Sequence, residues 1–390
     1  MGRTPVGPAA VSTHSGIDIG MFNLERKART VSRIVAGKVR RRARLLFPLF
    51  AVATMLASCS PFFILRAGYE EAKILSRRQS IARLVEDPST PPERRAKLEL
   101  VLGVRAFAED SLQLDVGKSY TTFSQLDSDT LALVLSAARQ DRFEPYTWWF
   151  PIVGRVPYRA FFSQKSAEKA VADLAEKGLD AYVRPTSAFS TLGWFNDPLV
   201  SPLLRYDSIS LANTVVHELY HNTLYLKGQA IFNESLANFV GARGAIAYFC
   251  DTVDDEMRCQ RAETMWRDEL FFGDFLTDLV DELEVLYERT DLTSEQKIEQ
   301  RETIFADAQA KFESEIRPQL QLLTFGNFAR GPINNAFLIA RRIYYQRLDL
   351  FEAAYHALGG DLRTVVQRIG TAAESRPDDP WAAVEELTSP

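Results

Sequence analysis

The chain has 390 residues, 46% of them hydrophobic and 25% charged, with a formal charge of -5, enough apolar material for one large core or two smaller ones and against intrinsic disorder. The charge is uneven: residues 1–58 hold ten Lys or Arg and two Asp or Glu, leaving 36 basic and 49 acidic groups beyond them. So acidic a remainder makes a poor nucleic-acid binder.

The N-terminal basic excess ends in Lys38-Val39-Arg40-Arg41-Arg42-Ala43-Arg44, and a largely apolar run of thirteen residues, 45–57, follows it. A membrane-spanning helix needs about 20 apolar residues, so the two stretches read as the n-region and h-region of a secretory signal. The junction Leu56-Ala57-Ser58-Cys59 resembles the bacterial lipobox. It predicts that residues 1–58, an N-terminal extension and signal peptide, are removed and that Cys59 is lipidated. Ser60 stands where aspartate would signal inner-membrane retention, so the expected address is the outer membrane of a bacterial envelope, facing the periplasm. An uncleaved signal anchor, or an ordinary signal peptide, would give the same compartment. In that oxidising space Cys250 and Cys259, nine positions apart, can bridge; two free buried thiols are the alternative.

From Cys59 to about residue 140 the periodicity is helical, clearest over 67–81 and 92–106, and residues 59–145 are expected to form an N-terminal helical region. The aromatic and β-branched stretch 148–158, punctuated by Pro and Gly, predicts strand and turn. A helix over 166–176 ending at Gly178, a strand at 181–183 and another at 187–195 complete a small β-α-β region. A helix then starts near Ser208 or Ser210 and stops at Gly228, and Asn233 is expected to cap the next, from Glu234 towards Tyr248. These elements make up a predicted catalytic core over 146–254. Residues 255–318 read as a charged helical hairpin, with Leu276, Leu279, Leu283 and Leu286 as its buried stripe and Thr293 with Gln296 as the capping box of its return helix. Residues 319–390 form a C-terminal helical region that completes the core.

The chemistry is concentrated in Val215-Val216-His217-Glu218-Leu219-Tyr220-His221. Positions four apart share a helix face, so His217 and His221 can offer two imidazoles to one ion. Zinc accepts such nitrogens, and a carboxylate next to the first histidine is placed to deprotonate a water held there, which makes Glu218 the general base. A catalytic site needs a third ligand. Only His14 and His356 remain among histidines, and the first lies in the segment expected to be removed. Leu224 and Lys227 occupy the glycine and third-histidine positions of the metzincin pattern and exclude it. A carboxylate is therefore expected, and Glu234, thirteen positions after His221 at the start of the next helix, is the best candidate. Asn238, one turn further on, could accept an N–H from a ligating imidazole and fix its tautomer.

With these residues the chain resembles the bacterial putative aminopeptidase lipoproteins, a group among the gluzincin-like zinc peptidases. The resemblance runs through Cys59-Ser60-Pro61 with Ala67-Gly68-Tyr69, the Phe150-Pro151-Ile152-Val153-Gly154-Arg155-Val156-Pro157-Tyr158 stretch and Thr191-Leu192-Gly193-Trp194-Phe195-Asn196-Asp197-Pro198-Leu199. It continues through the histidine motif, Phe232-Asn233-Glu234-Ser235, and Asn334-Asn335-Ala336. It implies an α+β, predominantly helical fold, in which a zincin-like catalytic core carries a small sheet and a long helical hairpin. It also implies a zinc triad of His217, His221 and Glu234 with Glu218 as base. The chain departs from better-known gluzincins in the short spacing to Glu234 and in having Asn238 where many carry aspartate. The family pattern places a tyrosine at Tyr344 as the oxyanion donor, with Tyr345 and His356 as rivals. Gluzincins put a substrate-pairing edge strand where Gly193 and Trp194 lie, and Asp197 could meet a peptide ammonium or simply close a turn before Pro198.

The expected function is thus a zinc peptidase, an aminopeptidase by resemblance, acting on peptides and held to the membrane by lipid. Endopeptidase or other amide-hydrolase action at the same centre is one alternative. The other is an envelope binding module with structural or vestigial zinc, which would have no need of Glu218.

Overall fold

A computed structural model describes residues 73–150, 154–186 and 196–388. Cys59, Gly193, Trp194, all of residues 1–58 and the strand expected over 187–195 lie outside the described residues. The fold is α+β and predominantly helical, as expected. Among the described residues no helix is long and apolar enough to cross a membrane.

Sequence and structure part early. Residues 79–80 are strand β1 (Gln79–Ser80), and Ser80 caps a separate short helix, α1 (Ile81–Glu86), so the helix expected over 67–81 does not run to its end. Helix α2 (Pro92–Asp110) follows, with Pro91 and Pro92 setting its start. The expectation of a helical region to residue 145 then fails: β2 (Thr122–Ser124) and β3 (Ala132–Arg139) occupy its second half. The β3 sequence, Ala-Leu-Val-Leu-Ser-Ala-Ala-Arg, is rich in good helix formers, yet it is the middle strand of a sheet. Burial on both sides replaces alternation with a near-continuous apolar run, and tertiary pairing overrides propensity.

That sheet has the order β6-β3-β7, with β6 (Tyr158–Phe161) and β7 (Leu179–Thr186) both antiparallel to β3. Helix α3 (Gln164–Ala175) links β6 to β7, and Gly178, at φ 66°, makes the turn after it. The register pairs Val134 with Arg184 and Ala138 with Asp180. A two-stranded ribbon, β4 (Trp148–Phe150) with β5 (Gly154–Val156), precedes this unit. A third small sheet pairs β1 with β2 and β2 with β8 (Leu199–Val200).

The rest is helical. Helices α4 (Ser208–Thr223) and α5 (Ala230–Ala247) are adjacent and lie at the centre of the largest apolar core. A wide turn prolongs α5 through Tyr248–Thr252, where a disulfide joins Cys250 to Cys259 in the first turn of α6 (Glu256–Glu288). The return helix α7 (Ser294–Lys311) starts at the Thr293–Gln296 capping box. The stripe Leu276, Leu279, Leu283 and Leu286 is buried in a second core, together with Phe272, Phe312, Phe328 and Phe337. After the short α8 (Gly326–Arg330), α9 (Asn335–Tyr345) packs against β3, β7, α5 and α6. It is the element that joins the sheet to the central helix pair. Helices α10 (Leu348–Ala357), α11 (Leu362–Ser375) and α12 (Pro380–Thr388) close the large core.

Candidate metal centre

Helix α4 starts at Ser208, as expected, but its cap is Asp207 and neither serine: the Asp207 carboxylate accepts the N–H groups of Ile209 and Ser210, satisfying two donors that the first turn leaves free. The helix buries Leu211, Ala212, Val215, Val216, Leu219 and Tyr220, and this fixes which way the histidines point. It ends at Thr223, and Gly228, at φ 84°, turns the chain before α5.

Helix α5 starts at Ala230, four residues before Glu234, so Asn233 lies inside it and does not cap it. Its side chain instead accepts from Leu226 N–H at 3.0 Å and donates to Leu226 C=O at 2.8 Å, clamping the α4–α5 connection. Ser235, on the other side of Glu234, donates to Ile343 C=O and accepts from Gln346 N–H at the end of α9. The Asn-Glu-Ser run thus tethers both neighbours of Glu234 to different parts of the chain. Two glycines let α5 approach α4: a Cβ on Gly241 would lie 2.8 Å from Asn213 C=O and 3.1 Å from His217 Cβ, and one on Gly244 would lie 2.8 Å from Val216 Cγ1.

In this arrangement His217 Nε2 and His221 Nε2 are 3.2 Å apart, and Glu234 reaches them with Oε2 at 3.5 Å and Oε1 at 3.6 Å respectively. One ligand atom from each of the three residues lies within 4.8 Å of the others. Both imidazoles are largely buried, and His221 Nδ1 is buried with no hydrogen-bond partner among the described residues. Two nitrogens and a carboxylate oxygen converging from two helices are a donor set that fits a divalent transition ion.

Burial would lower the His217 pKa, but the carboxylates of Glu234, Glu218 and Glu269 outweigh it and raise the group above the usual imidazole value. Burial, with the neighbouring His217, drops His221 to about 4. Glu234 is held below the ordinary carboxylate range, because both histidines and Arg184 outweigh its own burial. Glu218 is pushed up to about 7 by burial, with Glu234 and Asp197 adding to it against His217. Asp197 is buried, its C=O accepting from Tyr120 N–H at 2.8 Å and its N–H donating to Ser119 Oγ, and its charge reaches Glu218.

Tyr344, at the last turn of α9, faces the triad with its ring centroid 6.2 Å from that of His217. Burial and Glu234 push its phenol up to about 12. The rivals lie elsewhere. Tyr345 turns into the second core against Phe272, and His356 is exposed beside Glu352. Asn238 is also placed differently from expectation: its amide donates to Tyr344 C=O at 3.0 Å and to Glu269 at 3.4 Å, and among the described residues neither imidazole is its partner. The cause is local, since a carbonyl at a helix C-terminus lacks an intrahelical donor and Asn238 supplies one.

Sequence reasoning missed Glu269 and Arg184. Glu269, on α6, is pushed up to about 7 by burial, with Asn238 and His217 opposing. Arg184 donates to Tyr344 Oη at 3.1 Å from strand β7. Both come from elements far from the motif in sequence; only the alternation of Asp180, Tyr182 and Arg184 along β7 hinted at a shared face.

Residues 62–379 match the family model described as "Putative aminopeptidase". The chain belongs to that family. No curated protein and no solved structure matches it. The aminopeptidase-family match spans the candidate triad, Glu218 and Tyr344, and it carries peptidase activity as the family's described character, with peptides as the substrate class.

Proposed function

We propose that the chain is a zinc-dependent peptidase, and within that class an aminopeptidase, whose ion is held by His217, His221 and Glu234. The observation that carries this reading is the convergence of those three side chains, with ligand atoms within 4.8 Å, beside a half-buried carboxylate one residue after His217. Zinc, when bound by two imidazoles and a carboxylate, acts as a Lewis acid and lowers the pKa of a coordinated water to about 7. Glu218 takes the proton of the attacking water and returns it to the amine that leaves. Tyr344 donates to the oxygen of the scissile carbonyl as negative charge gathers there. Asp197 supplies an acidic group next to Glu218, which suits a substrate ammonium and favours the aminopeptidase reading over internal cleavage. A structural or vestigial ion would have no need of Glu218 as a base beside it. We extend the proposal to place: a zincin-like core anchored through a lipid on Cys59 and facing the periplasm from the outer membrane.

Metal analysis of purified protein, paired with turnover of amino-acid anilides and N-terminally blocked peptides, tests the reading. One equivalent of zinc is expected in the wild type and in Glu218→Gln, less in Glu234→Ala, with Glu218→Gln slowed by at least about 100-fold. Wild-type protein that retains no zinc sinks the proposal. Preferential cleavage of blocked peptides would replace aminopeptidase by endopeptidase. Membrane partitioning unchanged by Cys59→Ala would remove the lipid anchor.

A further inference from the structure

Alternate residues of a strand share one face, and along β7 the row Asp180, Tyr182, Arg184 faces helix α9. Asp180 accepts the N–H of Asn335 at 2.9 Å, the Tyr182 ring meets Phe337 edge-on with centroids 5.0 Å apart, and Arg184 Nη2 donates to Tyr344 Oη at 3.1 Å. Phe337 and Tyr344 are seven positions apart, two helical turns, and so lie on one side of α9. The Arg184–Tyr344 pair is therefore set by the periods of two packed elements. The guanidinium carbon lies 5.7 Å from the centre of the tyrosine ring.

A phenol has one proton and two acceptor sites. Here one acceptor site is taken by Arg184, which leaves the proton free to point elsewhere and draws electron density from the oxygen. The same guanidinium is close enough to Glu234 for its charge to act on that ligand. Among the described residues no carboxylate pairs with Arg184, and its Nε is buried with no partner. By contrast Arg243 is paired with Glu352 and Arg301 with Asp180. Among the described residues the hydrogen bonding of Arg184 is thus directed at the Tyr344 phenol and not at a carboxylate.

We propose that Arg184 and Tyr344 work as one oxyanion-binding unit, in which Arg184 is the positioning residue. It holds the phenol as an acceptor and aims its O–H at the scissile carbonyl oxygen, so that it acts on the charge that develops there through Tyr344. This rests on the peptidase reading above.

The test uses the zinc-loaded full chain and two uncleavable dipeptide analogues: a phosphonate, whose tetrahedral anion mimics the transition state, and a reduced amide with no oxygen at that position. Affinities are measured by titration calorimetry for the wild type, Arg184→Met, Arg184→Lys, Tyr344→Phe and Arg184→Met/Tyr344→Phe, each matched to wild type in circular dichroism and zinc content. Arg184→Met and Tyr344→Phe should each weaken the phosphonate by about 10- to 100-fold, with the reduced amide held within roughly twofold. The double variant should bind no more weakly than Tyr344→Phe, and Arg184→Lys should recover part of the loss. If Arg184→Met does not fold, Arg184→Gln takes its place.

Equal weakening of both analogues would make Arg184 a shaping residue only and overturn the proposal, as would an unchanged phosphonate affinity or losses that multiply in the double variant. A wild type that turns over substrate, loses turnover in Glu218→Gln, yet is insensitive at Arg184 defeats this inference alone. A wild type that binds neither zinc nor either analogue defeats the peptidase reading and this inference with it.

Discussion

Glu234 owes its position to side chains outside the candidate triad. Asn233 uses both faces of its amide on Leu226, and Ser235 both accepts from and donates to the end of α9, so the helix turn bearing Glu234 cannot rotate without breaking bonds on two sides. Asn233 is buried, and truncation leaves a peptide N–H and a C=O of Leu226 without partners away from water. At about 1–3 kcal/mol for each of the two groups stranded, Asn233→Ala should lose roughly 2–6 kcal/mol of stability, read as a lowered urea midpoint at unchanged slope. Zinc affinity should fall with it, because the loop that separates the two helices carrying the candidate triad is released. A variant with wild-type midpoint would mean that the clamp contributes nothing. The identity of this asparagine was legible in the sequence and its job was not. Asn before Glu at a helix start reads as a cap, but the helix begins four residues earlier, and inside a helix the side chain finds the loop.

At the scale of elements, the centre depends on how closely α5 lies against α4. Gly241 permits that approach, since an added Cβ would sit 2.8 Å from the backbone oxygen of Asn213, a group that cannot swing aside as a side-chain end would. Gly241→Ala should therefore part the helices, loosen the pairing of Glu234 with His217 and His221, and weaken zinc binding by about 10-fold or more, with stability falling by roughly 1–3 kcal/mol. Gly370, within α11, has nothing within 4 Å of its would-be Cβ, and the same substitution there should stabilise by about 0.5–1 kcal/mol. Opposite signs from one chemical change isolate close approach as the cause; a Gly241→Ala protein with normal zinc content and midpoint would refute it.

The start of α4 offers a second prediction at this scale. Burial of Asp207 opposes ionisation, but hydrogen bonds from Ser210 and Ile209 outweigh it, and the carboxyl lies below its usual value of 3.8. A lowered folded-state pKa means that the cap's ionised form contributes fully above the unfolded value and is lost as pH falls through the folded one. Asp207→Ala should cost about 1 kcal/mol at neutral pH and less below about pH 3, compared by denaturant midpoints at the two pH values. A gap that stays constant or widens on acidification would show that the charge is not what caps the helix. Of these elements, α4 and α5 were legible from their apolar spacing although not in their caps, and the return helix was legible from its capping box as well. Strand β3 was not, because its composition favours a helix and only pairing with β6 and β7 makes it a strand.

Across the whole molecule, the histidine motif could be read from seven consecutive residues, whereas the groups around it arrive from β7, α6 and α9 and depend on long-range packing. The hairpin of α6 and α7 is where that packing is anchored. Asp180 of β7 receives Arg301 of α7 through Nη1 at 2.7 Å and Nη2 at 3.1 Å, and the same carboxylate accepts from Asn335 N–H of α9 and from Gln140 Nε2 after β3. Both charged side chains are at most 5% exposed, so the network joins sheet, hairpin and the Tyr344 helix inside the protein. Removing one partner of a buried pair leaves an uncompensated charge, and Arg301→Met should cost about 3–5 kcal/mol. Removing both charges relieves part of that penalty, so Arg301→Met/Asp180→Leu should be less destabilised than the sum of its single variants by more than about 1 kcal/mol. Denaturant midpoints of the four proteins decide it. Additive losses would mean that the two charges do not act on each other, and that the hairpin is held to the sheet by its apolar stripe alone.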